Sequence, residues 1–111
     1  MANEFEVILC IVNNGFSEHT MEAAKKVGAR GGTVLHARGT ASKDAEKIFN
    51  ITIHPDKELV MILASSAIKA NILHALYNEV GTHTPAQGIV FSLPVDEVVG
   101  LTNSSDVNIE N

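Results

Sequence analysis

Apolar residues in this chain gather into short unbroken runs separated by polar, glycine-containing segments. Residues 5–12 form one such run, which is rich in β-branched side chains and ends at Asn13, Asn14 and Gly15. This pattern predicts a strand buried at the centre of a sheet. Further strands are predicted at residues 33–38, 59–64 and 89–93. Pro94 is expected to end the last of them, because proline cannot donate a hydrogen bond to a neighbouring strand.

Two amphipathic helices are predicted between these strands. The first covers residues 18–27, with Ser17 as its expected N-cap and Gly28 as the residue that ends it in a left-handed conformation. The second is expected to be capped by Ser65 or Ser66. Its apolar side chains recur at helical spacing and predict one buried stripe, made of Ile68, Ile72, Leu76 and Val80.

The order of elements is typical of the ferredoxin-like α+β sandwich. We expect one domain over residues 1–101, with βαββαβ order, a four-stranded antiparallel sheet and both helices on one face. Residues 39–56 are predicted to be a mobile loop with one helical turn at residues 43–48, and residues 102–111 a polar tail. Because the strands are apolar on both sides, the uncovered face of the sheet predicts self-association.

The composition excludes several classes of function. The chain has 111 residues, a formal net charge of −5 and no basic stripe, which argues against binding to nucleic acid. Its apolar runs are too short to span a bilayer. Cys10 is the only cysteine, so an internal disulfide is impossible and a cytoplasmic location is expected.

Two segments concentrate glycine, hydroxyl and amide groups at the ends of elements: residues 28–33 together with 38–40, and residues 82–88. Glycines let backbone amides approach a ligand closely, and successive amides can hold an anion. Arg38 could add a bidentate contact to phosphate. Neither segment matches the Walker or dinucleotide-binding pattern, so a structural role in turns is an equally good interpretation of the residues alone.

The remaining reactive side chains form no recognisable catalytic or metal-binding pattern. The five histidines lack metal-ligand spacing, which favours structural or solvent-facing roles for them. Cys10 lies within an apolar run, which favours a small core residue over a nucleophile. No catalytic residue, metal site or enzymatic activity is therefore predicted.

At two places the sequence resembles the P-II family of signal-transduction proteins. Residues 27–34 (VGARGGTV), followed by Arg38 and Gly39, are similar to the glycine-rich turn, threonine and basic residue around that family's second strand. Residues 88–98 (GIVFSLPVDEV) resemble its closing strand and turn. The resemblance covers residues 5–101 and is to the family's compact PII-like branch.

The resemblance implies a nitrogen-regulatory type of protein, a homotrimer whose three intersubunit clefts bind ATP or ADP. It implies control of a protein partner, such as a membrane transporter, through residues 39–56. Thr33 corresponds to a position that contacts adenine. The implied phosphate-side positions are Arg38, Gly39, Thr40 and Ala41 at the base of the long loop, and Thr84, Ala86, Gln87 and Gly88 in the loop at residues 82–88.

The chain departs from the main P-II pattern at several positions. Ile89 stands where the main family has a phosphate-binding lysine, and residues 100–102 carry none of its C-terminal basic side chains. The only tyrosine, Tyr77, is on the second predicted helix, so uridylylation of a loop tyrosine is excluded. Ser42 and Lys43 stand at the loop base in place of the family's glutamine, so no sensing of 2-oxoglutarate is expected. Two alternatives remain: Arg30, Arg38 or Lys43 compensates for the missing positive charge, or the site prefers a ligand with fewer phosphates.

Two other functions are compatible with the same fold. A divalent-metal-binding trimer of the cation-tolerance type would need His36, His54 or His83 to converge in the intersubunit cleft. A small acylphosphatase-like hydrolase would use Arg30 or Arg38 to hold a phosphate, although no group that orients water can be named.

Overall fold

A computed structural model describes residues 4–40 and 55–100 of the chain. Four strands form a single antiparallel sheet in the order β2-β3-β1-β4, which confirms the predicted α+β arrangement. The elements are β1 Phe5–Asn13, α1 Ser17–Lys26, β2 Thr33–Arg38, β3 Asp56–Ser65, a short 3-10 turn Ser66–Ile68, α2 Lys69–Val80 and β4 Ile89–Val95.

The hydrophobic core lies between the two helices and one face of the central strands. Ile8 of β1 is paired with Ile62 of β3, and Cys10 with Val60, and all four side chains are buried. The predicted stripe of α2 is confirmed, since its side chains at positions 72, 76 and 80 are fully buried against this face. Ile68 packs beside the core from the 3-10 turn.

The opposite face of the sheet is apolar and partly exposed, and we call it the open face. Its central side chains, Val7, Leu9 and Ile11, are half-buried by their strand neighbours. Its outer side chains are exposed and come from both edge strands, namely Leu35, Ile89, Phe91 and Leu93. The alternation of side chains along each strand therefore gives two hydrophobic faces, only one of which α1 and α2 cover.

The cap predicted for α1 is wrong in detail. Phe16 occupies the N-cap position and makes no side-chain cap hydrogen bond, while Ser17 is the first helical residue. The free amide groups at this end are bonded by a residue distant in sequence, Glu58, whose carboxylate accepts from the amides of Gly15 (2.8 Å) and Ser17 (3.2 Å). Gly28 has a φ of 114° beyond the end of α1, as predicted.

Two other boundaries differ from the sequence prediction. Ser65 caps the 3-10 turn, with its hydroxyl accepting from the amide of Ala67 at 3.2 Å, and α2 begins only after that turn. Strand β4 continues through Pro94 to Val95. Because β4 is an edge strand, Pro94 can pair with Glu6 of β1 without removing a hydrogen bond on its other side.

Several sequence predictions fall on residues that the structure does not describe. Ala41, the helical turn at residues 43–48 and most of the loop at residues 39–56 lie outside the described ranges, as does the polar tail. Among the helices of residues 4–40 and 55–100, none is long and apolar enough to cross a membrane.

Candidate functional site

Antiparallel pairing brings the predicted phosphate-side segments to one end of the sheet, which we call the loop end. Strands β1 and β2 finish there and β3 and β4 begin there, with Arg38 paired to Asp56 and Asn13 paired to Lys57. The base of the long segment is closed by a hydrogen bond of 2.7 Å from the amide of Gly39 to the carbonyl of Pro55. Arg38, Gly39 and Thr40 therefore share this end with residues 81–88.

Asn13 joins the last residue of β1 to the loop at residues 81–88. Its backbone amide donates to the carbonyl of Ala86 at 2.9 Å. Its side-chain nitrogen donates to the carbonyl of Pro85 at 3.0 Å and to Oε1 of Gln87 at 3.1 Å. Only 5% of Asn13 is exposed, so this side chain is a fixed part of the loop end.

Lys57 completes the same network. Its Nζ donates to Oδ1 of Asn13 at 2.6 Å, and its half-buried stem lies beside Gly39, where an added Cβ would lie 3.1 Å from the Lys57 Cε. Sequence reasoning missed both Asn13 and Lys57. In the sequence, Asn13 only marks the end of the first apolar run, and the charge of Lys57 alone gives no sign that it is held in place.

Several of the predicted amide donors in the loop at residues 81–88 are already used within the protein. The amide of Thr84 donates to the carbonyl of Gly81 (3.0 Å), and that of Gln87 to the carbonyl of Thr84 (2.9 Å). The amide of Gly88 donates to the carbonyl of Val80 at 2.7 Å, and the hydroxyl of Thr84 donates to Gly81 as well. These groups hold the loop together, and their amides are not available to an anion.

Gln87 is the one non-glycine residue with positive φ (49°) among residues 4–40 and 55–100. This sparsely populated conformation is stabilised from outside, since Asn13 donates to its side-chain oxygen. The nitrogen of the Gln87 amide has no hydrogen bond with the described residues and keeps two donors. Buried Ala86 can offer a ligand only its backbone.

Thr33 lies elsewhere, in a groove of about 860 Å³ formed by the turn after α1 and the far part of the sheet. In the groove wall, the amides of Arg30, Gly31 and Gly32 make no backbone hydrogen bond to residues 4–40 or 55–100. Apolar side chains line the groove floor, including Phe5, Val7, Met61 and Leu63. An apolar floor beside free amides suits a flat ring with polar edges.

One chain does not bring the two parts of the predicted site together. Thr33 pairs with Met61 of β3, whereas Arg38 pairs with Asp56, five residues away. At the rise of a strand this separates the groove from the loop end by about 17 Å. Arg30 and Arg38, the two arginines considered for a hydrolase, are separated in the same way and are both exposed.

The other candidate groups lack a reactive arrangement. Burial raises the pKa of Cys10 to about 12, so its thiol stays protonated at neutral pH and is a poor nucleophile. His36 lies on β2 and His83 contacts the ring of Tyr77 near the end of α2, while His54 lies outside the described ranges. Within the parts of the chain that the structure describes, no three histidine, cysteine or acidic side chains could share a metal ion.

Solved structures share this fold over most of the chain. A PII protein from Arabidopsis thaliana bound to citrate has 22% sequence identity and a TM-score of 0.66, covering 87% of this chain and 80% of that one. A protein of unknown function from Pediococcus pentosaceus has 14% identity and a TM-score of 0.64, covering 90% of this chain and 100% of that one.

A GlnK–ATP complex from B. subtilis has 14% identity and a TM-score of 0.60, covering 86% of this chain and 84% of that one. At these identities the likeness shows the fold. A comparison with curated proteins finds no match. The family model described as nitrogen regulatory protein P-II matches residues 5–104, nearly the whole chain, and the protein therefore belongs to the P-II family, whose members are regulatory signalling proteins.

Proposed function

We propose that this protein is a nucleotide-responsive regulator that binds ATP or ADP between the subunits of a homotrimer. The observation that carries the proposal is the separation of the groove from the loop end in one chain. A nucleotide whose base occupies the groove would have to extend about 17 Å along the strand to place its phosphates at the loop end of the same chain. A second copy, packed so that its loop end faces the groove, completes the site.

The open face supports such packing. Ile89, Phe91 and Leu93 are 57%, 40% and 49% exposed. Covering a side chain of this kind stabilises an assembly by up to about 1.5–3 kcal/mol. A head-to-tail ring buries the open faces and repeats one interface around a threefold axis. Each interface then pairs one groove with one loop end.

The proposed ligand contacts are divided between two neighbouring copies of the chain. Thr33 and the groove of one copy hold the adenine. The phosphates lie at the loop end of the next copy, with the contacts assigned to Arg38, Gly39, Thr40, Ala41, Thr84, Ala86, Gln87 and Gly88. The solved relatives that carry ATP and citrate support an anionic ligand, because both ligands are rich in charged oxygens.

The signal passes through residues 39–56 to a protein partner, for which a membrane transporter is the leading class. A ligand can shift this segment only if it binds more tightly to one of its conformations. The bond between Gly39 and Pro55 fixes the base of the segment at the loop end. Phosphates bound at the loop end would therefore directly contact the start of the segment at residues 39–56.

The test combines mass measurement in solution with calorimetry. We expect a trimer that binds ATP or ADP, and a Leu93→Asp variant that is monomeric and binds neither, because the charge lies on the open face. Asn78→Asp, on the exposed surface of α2, is the matched control and should remain a binding trimer. A folded wild-type monomer, or a trimer that binds none of ATP, ADP, AMP and cyclic dinucleotides at millimolar concentration, would refute the proposal.

A further inference from the structure

We propose that Asn13 is a positioning residue that holds the Lys57 ammonium as the phosphate-binding cation of this site. The inference rests on the proposed function, since it names the charge that receives the nucleotide's phosphates. It assigns a role to two residues outside the set that the sequence predicted for the site.

The ammonium of Lys57 is available to an anion. It carries three N–H donors, and one of them is used by Oδ1 of Asn13, a neutral acceptor 2.6 Å away. The ion pairs within residues 4–40 and 55–100 are His19–Glu79 and Lys69–Glu6, so no described carboxylate neutralises Lys57. Two charged donors therefore make no hydrogen bond to the described residues, and charge-assisted hydrogen bonds to phosphate oxygens are the strongest that they can form.

Lys57 also faces the correct side of the sheet. Successive side chains of a strand point to opposite faces, so Lys57 shares the open-face side with Leu59 and Asn13, whereas Asp56 and its partner Arg38 lie on the helix side. In the proposed ring the neighbouring copy packs against the open face. Lys57 then borders the cleft directly.

Both polar atoms of the Asn13 side-chain amide are used in holding Lys57 beside the loop at residues 81–88. Its oxygen accepts from Lys57, and its nitrogen donates to Pro85 and Gln87. An aspartate could accept from Lys57 but could donate to neither loop residue. By fixing a flexible lysine beside the loop before the ligand arrives, Asn13 removes part of the entropy that binding would otherwise lose.

The experiment compares phosphate-dependent and phosphate-independent binding in the full-length protein. Affinities for ATP, ADP and adenosine are measured by calorimetry for wild type, Lys57→Met, Asn13→Ala and the double variant. Lys25→Met, which removes an exposed cation from α1, is the control. We expect Lys57→Met to weaken ATP binding about tenfold or more and to leave adenosine binding unchanged, as one or more charge-assisted bonds are lost.

The role of Asn13 is tested by comparing its substitution in the wild type with the same substitution in the Lys57→Met variant. We expect Asn13→Ala to weaken ATP binding in the wild type and to have a clearly smaller effect in the Lys57→Met background, because the part of its effect that passes through the ammonium is already lost there. Asn13→Asp keeps the shape of the side chain and serves if the alanine variant does not fold. It should also weaken ATP binding selectively, since its carboxylate neutralises Lys57.

The outcomes separate the two proposals. If Lys57→Met binds ATP as tightly as wild type, or if Asn13→Ala weakens adenosine as much as ATP, the role of this pair is structural and the inference fails while nucleotide binding stands. Additive effects in the double variant would also overturn the role of Asn13. If the wild-type trimer binds none of the three ligands, the proposed function fails and the inference fails with it.

Discussion

Glu58 on β3 accepts hydrogen bonds from both the amide and the hydroxyl of Ser17, each at 3.2 Å, across 41 residues of sequence. A third bond comes from the amide of Gly15 at 2.8 Å. The carboxylate therefore satisfies donors at the start of α1 and places a negative charge at the positive end of the helix dipole. Through this contact the sheet fixes where α1 begins.

Replacing Glu58 by glutamine should destabilise the protein in a pH-dependent way. Burial raises the pKa of Glu58, but the hydrogen bonds from Gly15 and Ser17 and the charge of His36 outweigh it, and the pKa lies below the usual 4.5. A lowered pKa in the folded state gives stability that is present above about pH 4.5 and is lost as the pH falls below it. We expect Glu58→Gln to lose about 1–2 kcal/mol at pH 7.

Urea denaturation at pH 7 and at pH 3.5 measures this effect. The difference between wild type and Glu58→Gln should shrink at the lower pH, because the stability that comes from the lowered pKa of Glu58 is lost progressively below about pH 4.5. Exposed Glu97→Gln should match wild type at both values. A difference that is equal at the two pH values would show that the charge of Glu58 does not contribute.

Gly88→Ala should be far more damaging than Gly31→Ala. A Cβ at Gly88 would overlap the carbonyl oxygen of Val80, which accepts the amide of Gly88, whereas a Cβ at Gly31 has no neighbour within 4 Å. We expect a loss of about 2 kcal/mol or more for Gly88→Ala and little change for Gly31→Ala. Thermal or urea unfolding of the two variants checks this, and equal stabilities would contradict the close contact.

Cys10 should be unreactive in the folded protein. Its thiol is buried in the core and has a pKa of about 12, so the thiolate that reacts with disulfide reagents is nearly absent at pH 8. We expect negligible labelling by a disulfide reagent until denaturant is added, and then one thiol per chain. Rapid labelling of the native protein would show that this part of the core opens.

Mixing two variants that each bind ATP weakly should restore some tight binding if each site is shared between copies. Lys57→Met damages the loop end, and Gly31→Trp fills the groove from a position with free space around it. In randomly mixed trimers roughly one cleft in four combines an intact groove with an intact loop end. Calorimetry on the co-refolded mixture should detect these sites. No recovery from mixed trimers would place each site within one chain.

The pattern of residues was sufficient to predict the elements and the fold. Residues 33–38 form a strand with the predicted bounds, and the stripe at positions 72, 76 and 80 is buried as its spacing requires. Strand β3 is longer than its apolar run, because Asp56 and Lys57 pair with residues of β2 and β1 although they are charged. The bounds of β3 are set by its pairing with neighbouring strands, and the local pattern of apolar and polar residues carries no information about that pairing.

The sequence by itself determined four strands, two helices, a sheet with two apolar faces and the family to which the chain belongs. Only the tertiary structure showed that Glu58 caps α1, that Asn13 holds Lys57 beside Gln87, and that Thr33 lies far from the loop end. The physical reason is the distance along the sequence over which each kind of interaction acts. Periodicity and helix ends depend on neighbours a few residues away, whereas these contacts join residues that only the register of the strands brings together.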